Sequence, residues 1–196
     1  DMYLTRAATA GRILDLGCGT GTLMAAIAEK YPDKILTGAD PAAAMLAIAQ
    51  KKTGRVSWLQ ASAETLDAGM TYDLIILSGH AFQVFLTREQ RIAALQNIQR
   101  HLSPDGIVLF DSRNPAAEEW REWIPALSRE VQRSDKFGDV ISWNDVSEHN
   151  GIVRYQTFYQ LGENGPVYRA ESDIAFPSAA EITEAVTFSG LMVRHI

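Results

Sequence analysis

Over residues 13–113 short, nearly unbroken apolar runs alternate with longer stretches in which apolar residues recur every three or four positions. The runs fall at 13–16, 35–39, 56–59, 74–77 and 107–110, and predict strands. Four or five continuous apolar residues mean burial on both faces of a sheet. Between them, 22–31 carries apolar residues at 23, 24, 27 and 28 and is stopped by Pro32-Asp33, as a helix packed on a sheet would be. A second helix is predicted over 41–52, with Pro41 at a tolerated first-turn position. A third, over 87–102, is strongly amphipathic and ends at Ser103-Pro104-Asp105-Gly106. Strand–helix alternation of this kind predicts an α/β fold with a Rossmann-like, doubly wound, mostly parallel sheet. Ligands of such sheets sit beyond the C-terminal strand ends. The loops after Leu16, Ala39, Leu59, Leu77 and Phe110 are therefore where chemistry is expected.

After Asn114 the pattern changes. Two tryptophans, Trp120 and Trp123, stand among charges, and strand-like stretches follow at 129–134, 140–146, 153–161 and 167–174 without helical periods between them. Asn150-Gly151 separates two of these as a hairpin turn. We read a small antiparallel β insert. Helical periodicity resumes over 178–189, with Ser178 and Glu181 spaced as a capping box, and 191–196 reads as an opening strand. The expected division is a core over 1–115, an insert over 116–177 and a return to the core over 178–196. A strand opening at the last residue, and a start at Asp1 without Met, suggest chain beyond both ends and leave a targeting segment open.

Ile13-Leu14-Asp15-Leu16-Gly17-Cys18-Gly19-Thr20-Gly21 joins the first strand to the first helix. Glycine-rich turns in this place usually cradle a pyrophosphate, with the spacing G-x-G-x-x-G. Here the spacing is one residue shorter, and Asp15 stands at the mouth. Two unit charges about 4 Å apart interact by roughly 4 kcal/mol at an effective dielectric of 20. A carboxylate facing a pyrophosphate meets repulsion of that order, whereas facing an ammonium or sulfonium it gains comparable attraction. The turn suits a ligand with a cationic part, held close to a backbone that glycine leaves bare.

The stretch from Asp15 to Gly21 resembles the first motif of class I S-adenosylmethionine-dependent methyltransferases, of the small-molecule type with an antiparallel insert after the fifth strand. The order of the later segments fits the same family. The resemblance implies that Asp15, Gly17, Cys18, Gly19 and Gly21 hold the methionine half of S-adenosylmethionine, whose product is S-adenosylhomocysteine. Asp40, at the end of the second strand, is placed to accept both hydrogen bonds of a ribose diol or to cap the following helix; Pro41 follows it. Met45 resembles the residue that packs on adenine, or else packs the core. The family usually has an aspartate where Ser62 stands, so adenine recognition falls to the weaker Ser62 hydroxyl and the backbone at Ala63. Glu64 reads as an exposed charge in the first turn of a helix. Ser78 opens the loop after the fourth strand, where sulfur and acceptor meet.

In that loop His80 is the candidate general base, since an unperturbed imidazole titrates near pH 6.5; its alternative is to shape the loop. Phe82 and Gln83 line a methyl pocket or pack a helix start. Arg113 grips a substrate carboxylate or pairs with Asp111 or Glu118. Tyr155 is a candidate acceptor contact on the insert, which the resemblance implies roofs the acceptor site. His101 reads as structural at a helix C-terminus, and His149 and His195 have no catalytic setting.

Composition narrows the partners. Eighteen basic against 24 acidic residues give a net charge of −6, and no basic cluster exceeds Lys51-Lys52, which argues against nucleic acid. No apolar stretch approaches a membrane span. One cysteine and four scattered histidines give no disulfide framework and no zinc spacing, so a reducing, cytoplasmic setting and no metal are expected. The sequence thus predicts methyl transfer to N, O or C of a small molecule by in-line displacement, in a monomer or homodimer. The competing readings are a nicotinamide-dependent oxidoreductase, a non-catalytic S-adenosylmethionine-binding module, and aminopropyl or carboxymethyl transfer.

Overall fold

A computed structural model describes residues 2–195. In chain order the elements are α1 (Met2–Ala7), β1 (Arg12–Leu16), α2 (Thr22–Lys30), β2 (Ile35–Ala39), α3 (Ala43–Lys52), β3 (Ser57–Leu59), β4 (Tyr72–Leu77), α4 (Arg88–Arg100) and β5 (Leu102–Phe110). They are followed by α5 (Pro125–Ser128), β6 (Glu130–Ser134), β7 (Gly138–His149), β8 (Ile152–Leu161), β9 (Val167–Ala175) and α6 (Ala179–Phe188). The chain divides into two compact units, one formed by residues 2–82, 87–112 and 180–195, the other by 83–86 and 113–179.

The first unit holds the expected parallel sheet, in the order β3-β2-β1-β4-β5. Its strands contain the apolar runs, and Ile13, Leu14, Ile75 and Ile76, whose side chains alternate between the two faces of the sheet, are wholly buried. Leu16 pairs in register with Ala39, Ala39 with Leu59, and Leu77 with Phe110, so the five C-terminal ends share one edge. On α2 the predicted inner stripe is the buried one, with Met24, Ile27 and Ala28. Helix α4 begins with a capping box at Thr87 and Gln90, each side chain accepting from the other's backbone N–H at 3.2 and 3.1 Å.

Four local differences from the sequence reading have physical causes. Helix α1, which no periodicity announced, is only six residues long. Between β3 and β4 there is no helix: Glu64 lies in a turn, accepting from Ser62 Oγ at 2.8 Å. Buried Asn97 on α4 instead ties that loop down, donating to Ala63 O and Leu66 O at 2.8 and 3.0 Å. Residues 103–106 are not simply a turn but a bulge within β5, where the register jumps from Tyr72–Leu102 to Leu74–Ile107. Residues 191–195 form no strand; the Leu191 N–H turns back to Val186 O at 3.2 Å, and no neighbouring strand supplies a ladder among the described residues.

The second unit is the expected antiparallel sheet, in the order β6-β7-β8-β9. Its central hairpin turns at Asn150 and Gly151, with φ of 53° and 76°, the left-handed pair a two-residue turn requires. Ile141, Val153, Ile174 and Ala175 are the buried apolar residues of its strands.

Candidate active site

In the first unit β1 leads to β2 on one side while β4 lies on its other side, so the crossover direction reverses between β1 and β4. That reversal opens a crevice beyond the strand ends. A cavity of about 380 Å³ occurs here, lined among others by Asp15, Cys18, Thr20 and Ser78, with Tyr3 and Leu4 from α1. The larger cavity, about 510 Å³ and lined by Leu66, Asn97, Arg100 and His101, holds none of the predicted site residues.

The glycine turn is fastened before it is shaped. The N–H groups of Gly17 and Cys18 both donate to Ala39 O, at 2.8 and 3.0 Å, hooking the turn onto the end of β2. Gly17 has φ +81° and Gly21 φ +73°, conformations that cost other L-residues about 1–2 kcal/mol. A Cβ at Gly21 would also lie 2.4 Å from the Trp58 ring. Gly19 differs: its φ is +53°, but nothing stands within 4 Å of where its Cβ would be. This part of the turn is an open stretch of bare backbone. The Cys18 thiol is buried, and burial followed by the charges of Asp15 and Asp40 pushes it up to about 12.

Asp15 is 1% exposed, and neither carboxylate oxygen has a hydrogen-bond partner among the described residues. Burial, and secondarily the charge of Asp40, push its carboxyl up to about 7. An unpartnered buried carboxylate costs free energy that either a proton or a donor from a ligand recovers. Asp40 is held quite differently. Its Oδ2 accepts from Gly19 N at 2.9 Å and its Oδ1 from Ala42 N at 2.8 Å, so it braces the turn and the start of α3 together. Each carboxylate oxygen has a second lone pair, so both roles foreseen for Asp40 are compatible. Pro41 is exposed and its carbonyl accepts from Gln60 Nε2 at 3.2 Å. Met45 is 43% exposed on α3, which removes the core-packing alternative; Leu46 and Ala49 fill the core there instead. The Ser62 hydroxyl is bound to Glu64 and Thr65, while Ala63 is buried with its carbonyl on Asn97.

The loop after β4 carries Gly79 and His80, both at φ +63°. For histidine this is a strained conformation, and strain of this kind concentrates at functional sites. It is held by Asp111 at the end of β5, whose Oδ2 accepts the His80 N–H at 3.0 Å and also lies against His80 Nδ1. The Tyr3 hydroxyl donates to Asp111 Oδ1. Burial, then Asp111 and then Asp15, raise the tyrosine's ionisation well above its ordinary range. Phe82 is fully buried and stacked on Phe110 at 4.2 Å, so it packs the core and presents no surface to an acceptor.

In the second unit the Arg113 fork is already engaged. Nη1 donates to Gln83 Oε1 at 2.9 Å, Nε lies 3.3 Å from Glu119, and the guanidinium stacks over Trp123 at 5.0 Å. Its ion-pair partner is Glu119 rather than Asp111 or Glu118. Gln83 is itself buried and donates to Ala175 O at 2.8 Å, so the network is anchored in the interior at Gln83 and reaches the surface at Glu119. Tyr155 is half-buried with its ring edge-on to Trp123 at 5.9 Å. His101 caps α4, with Nδ1 on Asn97 O and Nε2 accepting from Ala68 N; His149 and His195 are exposed. The residues at this cavity and loop that sequence reading did not single out are Tyr3, Leu4 and Asp111. Asp111 carried a signal, as an acidic residue at a C-terminal strand end, but Tyr3 carried none.

A parallel sheet in this order, a short glycine turn off its first strand and a buried acid before that turn define the class I methyltransferase fold. Residues 13–106 match the family described as Methyltransferase domain. It is 39% identical over 103 residues to a malonyl-[acyl-carrier protein] O-methyltransferase of Bacillus cereus, covering 52% of this chain and 37% of that protein. The chain therefore spans well under half the length of that relative. It is 24% identical over 205 residues to a dTDP-3-amino-3,4,6-trideoxy-alpha-D-glucopyranose N,N-dimethyltransferase of Streptomyces venezuelae, covering 100% of this chain and 81% of that one. The solved structure of Streptomyces venezuelae DesVI superposes with a TM-score of 0.80 at 21% identity, over 100% of this chain and 82% of that chain. No described helix is long and apolar enough to cross a membrane.

Proposed function

We propose that this chain methylates a small-molecule acceptor at N, O or C, with S-adenosylmethionine as methyl donor. The observation that carries the reading is Asp15: a buried carboxylate with both oxygens unpartnered, at a cavity whose neighbouring backbone is bare at Gly19. The residues fit the donor. Asp15 accepts an ammonium, the open turn at Gly19 admits the amino-acid tail, and Asp40 takes the ribose diol with its remaining lone pairs. Met45 offers an exposed apolar face for adenine, with Ser62 and Ala63 beside it in the family's pattern. S-adenosylmethionine, when bound, supplies an electrophilic methyl carbon. The chain's own work is to orient, to exclude water and to accept a proton at His80; orientation alone contributes roughly 7–11 kcal/mol to such reactions.

Assignment of 116–177 to acceptor recognition, with Tyr155 as a contact, belongs to the same proposal and rests on the resemblance. So do a monomeric or homodimeric state and a cytoplasmic setting, the latter supported by the single buried cysteine. A nicotinamide-dependent oxidoreductase is disfavoured, because the glycine spacing is one residue short of the dinucleotide pattern and Asp15 would face the pyrophosphate with a carboxylate.

Titration calorimetry at pH 8 tests the reading. S-adenosylhomocysteine is expected to bind with a Kd in the micromolar range or tighter, and NADH not at all. Binding of NADH without S-adenosylhomocysteine would overturn the assignment.

A further inference from the structure

We propose that Asp111 is a positioning residue that fixes His80 in the Nδ1–H form, leaving Nε2 as the proton acceptor, and that Tyr3 locks Asp111 in place. The inference rests on the proposed methyl transfer, but it concerns this chain's own residues.

One carboxylate holds His80 at two points. Its Oδ2 takes the His80 backbone N–H at 3.0 Å and lies against Nδ1 of the same residue. Nδ1 has no recorded hydrogen-bond partner among the described residues, and the Asp111 carboxylate is the charged group that lies against it. An ionised carboxylate only accepts hydrogen bonds, so the nitrogen facing it must carry a proton. The tautomer of a neutral imidazole is set by whatever its other nitrogen bonds, and here that leaves Nε2 with its lone pair. The backbone bond matters equally. His80 follows Gly79 with both at φ +63°, and the carboxylate gives the strained turn a fixed partner just after β5.

Tyr3 completes the arrangement from α1. Its hydroxyl donates to Asp111 Oδ1, so both carboxylate oxygens are occupied and the carboxylate plane cannot rotate away from the imidazole. Tyr3 and Leu4 also line the cavity that contains Asp15 and Ser78. The same six-residue helix therefore borders the cofactor cavity and holds the residue that orients the base. Among the described residues, the charged groups that act on Tyr3 are Asp111, just after β5, and Asp15 on β1, the latter through its charge alone.

The proton balance is simple. An acceptor entering as X–H loses its proton to His80 Nε2, the imidazole becomes imidazolium, and Asp111 stays ionised beside it as counter-charge. This geometry serves a protic nucleophile, a hydroxyl or an ammonium, and gives no advantage to one already unprotonated.

The test needs no acceptor. ¹⁵N-imidazole NMR of the full 196-residue chain at pH about 9, where an ordinary imidazole is neutral, reports the tautomer of each histidine. His80→Gln identifies the His80 signals. The wild type is expected to show His80 almost entirely as Nδ1–H. Asp111→Ala should release it to a mixture of tautomers. Asp111→Asn, which can turn its amide NH₂ to Nδ1, should shift it toward Nε2–H, and serves if the alanine variant fails to fold. Tyr3→Phe should leave Nδ1–H predominant but admit a detectable Nε2–H fraction. A His80 that is Nε2–H in the wild type, or a tautomer ratio untouched by either Asp111 substitution, overturns the proposal. S-adenosylhomocysteine affinity separates this failure from the failure of the functional reading: it should stay within about threefold of wild type in the Asp111 variants. If the wild type itself does not bind that ligand, the functional reading falls, whatever the tautomer.

Discussion

Replacing Asp15 with Asn is expected to stabilise the ligand-free protein and to disable its binding site at once. The folded carboxyl is pushed up to about 7 from an ordinary value of 3.8. Between those pH values the folded chain keeps a proton that the unfolded chain has lost. Wild-type stability therefore falls as pH rises from about 4 to about 7 and is level above that. A difference of about three pH units amounts to something on the order of 4 kcal/mol, at about 1.36 kcal/mol each. Asparagine is as neutral as the protonated acid and nearly the same shape, so it carries no such slope. The variant should match wild type in denaturant unfolding at pH 4 and exceed it by roughly 2–4 kcal/mol at pH 8. Against that gain, loss of the charged hydrogen bond should weaken S-adenosylhomocysteine binding by roughly 10- to 100-fold. Parallel unfolding curves at both pH values would remove the buried, unpaired carboxylate from the account.

Substitution within the glycine turn should split cleanly by position. Gly21→Ala is expected to destabilise by about 2–5 kcal/mol, from left-handed backbone strain and overpacking together. The added methyl would meet the Trp58 ring at 2.4 Å and Ala49 at 2.8 Å, both in place against the sheet. Gly19→Ala has open space at the same atom, so only the backbone strain of about 1–2 kcal/mol applies. Its methyl would stand on the bare face where the ligand tail is proposed to lie. Thermal unfolding should thus single out Gly21→Ala, and ligand binding should single out Gly19→Ala as a folded protein with lost affinity. Equal stability of the two variants would mean that Trp58 does not pack across the turn.

The parallel sheet could be read in the chain because strands buried on both faces have nowhere to place a polar residue. Ile13 and Leu14, like Ile75 and Ile76, announce themselves by their neighbours alone. The hairpin at Asn150-Gly151 was equally plain, since few residue pairs accept two consecutive left-handed conformations. What escaped depends on atoms far apart in sequence. Tyr3 meets Asp111 across 108 residues, and a six-residue helix leaves no period to detect. The loop between β3 and β4 lacks its expected helix because buried Asn97, 31 and 34 residues further on, satisfies its carbonyls. Arg113 illustrates the same limit: its neighbours in sequence suggested Asp111 or Glu118, whereas Glu119 and Gln83 hold it. At the site, the acid at Asp15 ahead of the glycine turn was visible in the sequence. That it is unpartnered, and that Asp40 is doubly bonded, required the fold.

The most direct measurement of the central claim is the proton count on binding S-adenosylhomocysteine, obtained by calorimetry at pH 6 in buffers of different ionisation enthalpy. If the ligand's ammonium meets Asp15, close to one proton should leave per ligand at pH 6 and nearly none at pH 8.5, and Asp15→Asn should release none at either. Tight binding at pH 6 without proton release, at an affinity that Asp15→Asn shares, would contradict the account.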